Sequence, residues 1–412
     1  MDKKSLPDWD PRSEAVLKDQ TTAYDDMRHR CPVAYSQYGY TSLFRHEDVL
    51  RVLKDHETFS NAVSRFPSVP NGMDPPEHTV YRSLIEPYFS PEHMDAFAPA
   101  CRDIAVRLVQ ALPDEGPSEL IREFAQIFAL QIQCAWLGWP ADLHEPLRLW
   151  TLKNHSATLA RDDAALRAVA LEFDGYIKDL LEVRRTAGAA APNDITTILL
   201  RDQSLGRLLT DDEIVSILRN WTVGELGTIS ASVGILAHYL AINSGWQQQL
   251  REQPALLPAA IDEILRIHAP LIMNRRVTTK QVTLGGRTLA KGSRIALNWA
   301  SANRDEAVFG DSDELRLDRD PALNLLYGAG IHVCPGAPLA RLELRIVMEE
   351  LLGQTTRITL VPDKEPVNAF FPASGFSSVF LRIQKPSSQA LGACLTPEIA
   401  DSCPSSTLSC RT

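Results

Sequence analysis

The residue types best suited to chemistry lie in YGAGIHVCPGAPLARLELRIVMEELL, residues 327–352. Cys334 stands among Gly328, Gly330 and Gly336, which let the backbone approach something flat and bulky. An apolar helix is expected to begin just after it, at Pro338. Backbone N–H groups at a helix start stabilise a thiolate and lower its basicity, as a cysteine needs to remain a bound, anionic metal ligand. Taken alone, a cysteine reads as a small buried hydrophobe. In this glycine-lined loop the chemistry that fits one exposed thiolate is axial ligation of heme iron.

Other segments must position such a centre. Glu263 and Arg266 are three apart on an expected helix, share a face, and could form an ion pair that clamps a distant loop. The segment 211–243 reads as one long helix that carries, after Asn220, a single acid, Glu225, and no lysine or arginine. That is the pattern of a helix buried through the centre of a domain. The stretch 60–76, with four prolines and one glycine, reads as a loop and a candidate pocket wall.

Tyr327-x-x-Gly330-x-His332-x-Cys334-x-Gly336 resembles the heme-ligand loop of the cytochrome P-450 monooxygenases, with Tyr327 where that family usually has Phe. Glu263-Ile-Leu-Arg266 resembles the family's E-x-x-R element, and residues 300–320 are similar to the loop between that element and the ligand cysteine, which suggests Arg319 as the second arginine held by Glu263. The resemblance implies heme b with Cys334 as axial iron ligand. It also implies that His78 and Arg82 (in DPPEHTVYR), Arg276 (in RRVTTKQVTLGG) and His332 hold the two propionates, since carboxylates entering an apolar pocket need charge partners.

The long helix departs from the family's Ala-Gly-x-(Asp or Glu)-Thr pattern. Counting back 35 residues from Glu263 places Thr228 at the alcohol position and Gly227 where the acid belongs. Glu225, three before Thr228, lies on nearly the same face and is expected to relay protons, with a carboxyl pKa raised by burial. The competing reading has Glu225 paired with a core arginine and Gly227 making room in the helix groove. By the same resemblance Phe66, Val69, Leu226, Leu271, Ile272, Met273 and Phe376 fall where the family lines its substrate pocket, with core packing an equal reading for each.

Composition bounds the rest. The chain has 412 residues, 44% hydrophobic and 23% charged, with a formal charge of −10, which argues for a soluble globular protein and against a nucleic-acid or anionic-membrane surface. Neither a secretion signal nor a membrane anchor is expected from the N-terminal stretch or from any apolar run. The seven cysteines, at 31, 101, 134, 334, 394, 403 and 410, suit neither a disulfide framework nor a zinc site, and fit a reducing cytoplasm.

The expected architecture is one mostly helical α+β domain of the P-450 fold over residues 15–385, with small antiparallel sheets, a lead at 1–14 and a disordered tail at 386–412. The implied activity is insertion of one oxygen atom of O2 into a small or medium hydrophobic substrate. Electrons must come from outside, because the chain has no dinucleotide fingerprint and no iron–sulfur spacing. A ferredoxin or flavodoxin with its NAD(P)H reductase is implied, and the sequence is also similar to the bacterial branch in which such domains are sometimes fused ahead of a reductase. A peroxide-driven peroxygenase and a non-catalytic heme-binding sensor are the alternatives.

Overall fold

The computed structural model describes residues 7–64, 68–114, 116–160, 162–369, 371 and 373–386. Phe66 and the tail from 387 onward lie outside the described residues. Chain order and layers are those of a mostly helical α+β domain with small sheets.

The helix that organises the molecule is Asp211–Ile242. Its start is fixed by a capping box: the Glu213 N–H donates to the Thr210 hydroxyl at 3.3 Å, and the Thr210 N–H donates to Glu213 Oε2 at 2.7 Å. Asp211, Asp212 and Glu213 in the first turn complement the helix dipole. Ile214, Ile217, Leu218, Val233 and Leu236 bury its length against helices Gln126–Leu137, Leu257–His268 and Ala337–Gly353. Among the described residues it is the one helix long and apolar enough to cross a membrane, and 56% of its apolar window is buried inside the fold. One short stretch is open: Val223, Gly224 and Gly227 are exposed and Thr228 half-buried.

The helix Ala337–Gly353, which follows the cysteine loop, packs along Pro91–Ala111 through Leu344, Val347 and Leu351. The main sheet has the spatial order Val33–Tyr35, Thr41–Leu43, Arg294–Asn298, Met273–Thr278, Phe59–Ser60, all antiparallel except the parallel pair Thr41–Leu43 with Arg294–Asn298. Its role is to carry Arg276 to the same side of the molecule as the cysteine loop.

The periodicity of 118–137 predicts one helix, but the structure begins that region with a strand. Pro117–Glu119 pairs antiparallel with Phe380–Gln384, and helix proper starts only at Gln126. Buried Glu119 explains the break: its carboxylate accepts from the N–H groups of Ile121, Arg122 and Val379, so it caps the helical segment that follows and ties it to the sheet. Residues 276–284 read in the sequence as one strand, and the structure makes them parts of two, Met273–Thr278 and Val282–Leu284. Chain packing starts ahead of residue 15, since Trp9 is buried against the rings of Tyr24 and Phe44.

Candidate functional site

The cysteine loop is built by two left-handed glycines. Gly328 has φ 76° and Gly330 φ 71°, and a Cβ on Gly330 would fall 2.4 Å from the carbonyl oxygen of Leu53. Only glycine lets this turn press against the helix His46–Lys54. The turn closes with the Cys334 N–H donating to Tyr327 O at 2.8 Å. Cys334 is left solvent-accessible with protein crowding it on most sides, and burial raises its thiol pKa. Hydrogen bonds to the sulfur from the Gly336 and Ala337 N–H groups, and the charge of Arg82, pull the other way, while the charge of Glu225 adds to the rise. This is the donor set a thiolate ligand requires.

Beside the loop the structure gathers His78, Arg82, Arg276 and His332. The rings of His78 and His332 stand 4.3 Å apart, and Arg82 Nη1 donates to Val333 O at 2.6 Å. Burial, then His78, Arg276 and Arg82, push the His332 pKa down to about 3. Burial pushes Arg276 down to about 10, with Asp74 countering, and His78 is lowered by burial and by Arg82. Arg82 also pairs with Glu86 at 2.8 Å, but His332 Nε2 is buried with no hydrogen-bond partner. Cations that depress one another, with an orphaned ring nitrogen in their midst, fit a pair of incoming carboxylates. The residues therefore fit heme: Cys334 for the iron, and these four for the propionates. Replacing Arg276 by leucine is expected to weaken heme retention about tenfold, the scale of one charge-assisted hydrogen bond, measured as heme transfer to an apo-globin acceptor. Unchanged retention would remove Arg276 from the propionate set.

The E-x-x-R helix Leu257–His268 holds the loop that leads into the site. Arg266 grips Glu263 with two hydrogen bonds, Nε to Oε2 at 2.8 Å and Nη2 to Oε1 at 2.9 Å. It also donates to the carbonyls of Asn303 at 2.6 Å and Ser312 at 2.9 Å. Arg319 Nε reaches the same Glu263 Oε1 at 2.8 Å, and its guanidinium donates to the carbonyls of Phe309 and Asp311. All three residues thus meet at one buried carboxylate, and the loop's carbonyls are what they bind.

On the central helix, Gly224, Gly227 and Thr228 form an open stretch, and neither glycine Cβ would meet any atom within 4 Å. The Thr228 hydroxyl donates back to Gly224 O at 2.5 Å, which leaves its oxygen free to accept a hydrogen bond from the open side. Among the described residues, Glu225 is not paired with an arginine. Burial raises its carboxyl pKa, and the charge of Glu225 in turn raises buried Glu343, from the helix after the cysteine, and the Cys101 thiol. Glu343 was not singled out by sequence reasoning. The available signal was an acid in register with Leu339, Ile346 and Val347 on an otherwise apolar helix face.

The pocket residues divide. Leu226 is 7% exposed within the main core, about 200° round the helix from Gly224 and so on its far side. Ile272 packs with Trp9, Tyr24 and Phe44, away from the cysteine loop. For these two, core packing is what the structure shows. Val69 is buried too, its N–H donating to Ser216 Oγ and its carbonyl accepting from Asn220 Nδ2, both at 2.9 Å, so that the loop wall is fastened to the central helix. Leu271 is exposed, Met273 half-buried, and Phe376 half-buried against the His238 ring.

Known proteins match this chain over much of its length. A family model described as Cytochrome P-450 matches residues 143–385. The erythromycin C-12 hydroxylase of Saccharopolyspora erythraea is 30% identical over 372 residues, 86% of this chain and 92% of that protein. The vitamin D(3) 25-hydroxylase of Pseudonocardia autotrophica is 32% identical over 293 residues, 70% of each. Among solved structures, a cytochrome P-450 from Chondromyces apiculatus superposes with a TM-score of 0.83 at 27% identity, covering 92% of this chain and 99% of that one. With the fold, the cysteine loop and these relatives in agreement, the chain belongs to the cytochrome P-450 family of heme monooxygenases.

Proposed function

We propose that the protein inserts one oxygen atom of O2 into a small or medium hydrophobic substrate, by hydroxylation or oxidative dealkylation, with electrons from a ferredoxin or flavodoxin and its NAD(P)H reductase. The observation that carries this reading is the accessible Cys334 sulfur in its glycine turn, with the basic cluster of His78, Arg82, Arg276 and His332 gathered beside that loop. Heme held through a thiolate supplies the electron-rich iron at which O2 is activated.

The chain's own residues then have separable tasks. The Gly336 and Ala337 N–H groups favour the anionic form of the sulfur against the burial that opposes it. His78, Arg82, Arg276 and His332 neutralise the propionates. Thr228, its own proton committed to Gly224 O, accepts a hydrogen bond from a water on the open side and holds it in place. Glu225 supplies a carboxyl near that water. Val69, Leu271, Met273 and Phe376 give the substrate side an apolar wall, with Val69 held by Ser216 and Asn220. The hydroxylase names of the relatives, and a solved relative from Bacillus megaterium in complex with corticosterone, support a hydrophobic organic substrate.

A second reading, the peroxygenase, is favoured by Gly227 at the acid position with Glu225 displaced by two residues. The experiment is turnover of a substrate panel under labelled O2 with ferredoxin, reductase and NADPH, beside turnover with hydrogen peroxide alone. One labelled oxygen atom per product in the first arm is expected. Product only with peroxide would replace the monooxygenase reading by the peroxygenase, and no product with either oxidant over a panel of spin-state-shifting ligands would point to the sensor.

A further inference from the structure

The cluster beside the cysteine loop has a further neighbour, Asn61, at the start of the pocket-wall stretch 60–76. Asn61 Nδ2 lies 3.3 Å from His332 Nδ1, and the same nitrogen donates to the carbonyl oxygen of Asn71 on the far limb of the stretch. A carbonyl oxygen can only accept, so the contact with Asn71 fixes which end of the Asn61 amide carries the hydrogens. Both hydrogens then have a place, one on Asn71 O and the other toward His332. An amide nitrogen offers no lone pair, so His332 Nδ1 is the acceptor, and a ring with a bare Nδ1 carries its proton on Nε2. Nε2 is the atom that is buried and, among the described residues, has no hydrogen-bond partner. It is therefore an enclosed donor, in a ring 4.3 Å from that of His78.

Asn61 is itself held in place. Its N–H donates to Asp74 Oδ1 at 3.1 Å, and the Ser60 hydroxyl donates to the other oxygen of that carboxylate. The Asp74 carbonyl accepts from the His78 N–H at 3.0 Å, just ahead of the helix Glu77–Ile85 that carries His78 and Arg82. One residue, Asp74, thus fastens both the backbone of Asn61 and the start of that helix.

We propose that Asn61 is a positioning residue for the heme: it holds His332 in the tautomer whose Nε2–H faces the propionates, so that this ring joins the cluster as a neutral donor while Arg82 and Arg276 bring charge. This rests on heme occupying the site. The opposite tautomer would turn a nitrogen lone pair toward a carboxylate and forfeit the hydrogen bond. Because the same amide also holds Asn71, the ring and the pocket wall are fastened to one side chain.

The test uses the heme-loaded protein, reduced and carbon-monoxide-bound so that the iron is diamagnetic, with isotope-labelled histidine ring nitrogens read by NMR. His332→Gln identifies the His332 signals by their loss. The wild type is expected to show Nε2 protonated and Nδ1 bare. Asn61→Leu, close in size but without a donor, is expected to populate both tautomers. It should also speed heme transfer to an apo-globin acceptor about fivefold, the scale of one hydrogen bond. In a His332→Leu background the same substitution should change the transfer rate no further, because Asn61 acts through the ring. A wild-type ring protonated on Nδ1, an Asn61→Leu protein that keeps the pure Nε2–H form, or an equal effect of Asn61→Leu with and without His332 overturns the proposal. The wild-type tautomer is read without any change at Asn61, so a variant that fails to fold leaves that reading intact. A protein that binds no heme loses the reading of the site and the proposal with it, and the carbon-monoxide spectrum tells that outcome from the others.

Discussion

Replacing Arg266 by methionine is expected to cost the fold about 3–5 kcal/mol, the penalty for breaking a buried ion pair from one side. Arg266 is 0% exposed and makes four hydrogen bonds, two to Glu263 and one each to the carbonyls of Asn303 and Ser312. Methionine fills much of the volume but offers no donor. The two carbonyls would lose buried partners, and Glu263 would be left to Arg319 alone. Against a domain stability of about 5–15 kcal/mol this is a large share. The visible results would be a melting temperature lower by roughly 4–6 °C and poor heme content after expression, since the loop carrying Asn303 and Ser312 runs toward residue 327 and the cysteine. Lysine at 266 should be little better, because a point charge cannot hold a carboxylate and two carbonyls with a planar fork. Thermal unfolding of Arg266→Met and Arg266→Lys beside wild type measures this. A shift under about 1 kcal/mol, the scale of an exposed ion pair, would show that the network is dispensable.

The sequence made certain features readable because they are local. The long helix over 211–243, the glycines at 328 and 330, and the three-residue spacing of Glu263 and Arg266 each show in a contiguous pattern, one turn or one loop, so residue type and spacing specify them. Arg319 lies 56 residues from Glu263 and was placed through the family's loop pattern, not through periodicity; the structure brings its guanidinium to the same oxygen. What was not readable depends on partners distant in the chain. Pro117–Glu119 becomes a strand because Phe380–Gln384 is there to pair with it. Ile272 leaves the pocket wall because Trp9, Tyr24 and Phe44 form a cluster that claims its side chain. Glu225 drew attention as a lone acid, but its partner is 118 positions away on another helix, and nothing in the local pattern of either residue announces the other.

The site as a whole depends on Cys334 being a thiolate when iron is bound. The loop gives the sulfur two N–H donors and a nearby guanidinium, which offset part of the burial that raises its thiol pKa, and coordination to a cationic metal favours the deprotonated form outright. A serine in its place keeps the size of the side chain and the fold of the loop, but a hydroxyl holds its proton far more tightly than a thiol, and its harder oxygen is a poor substitute for a soft sulfur donor. The propionate cluster would still hold the group, so Cys334→Ser is expected to retain heme while losing the spectral mark of sulfur ligation and, with it, all O2-dependent turnover. The measurement is the absorption spectrum of the reduced, carbon-monoxide-bound protein, wild type beside Cys334→Ser. The account predicts the long-wavelength Soret band of thiolate-ligated heme in the wild type and its loss in the variant. A wild type with the shorter-wavelength band of imidazole ligation, a wild type that binds no heme, or a Cys334→Ser variant that keeps the thiolate band would contradict it.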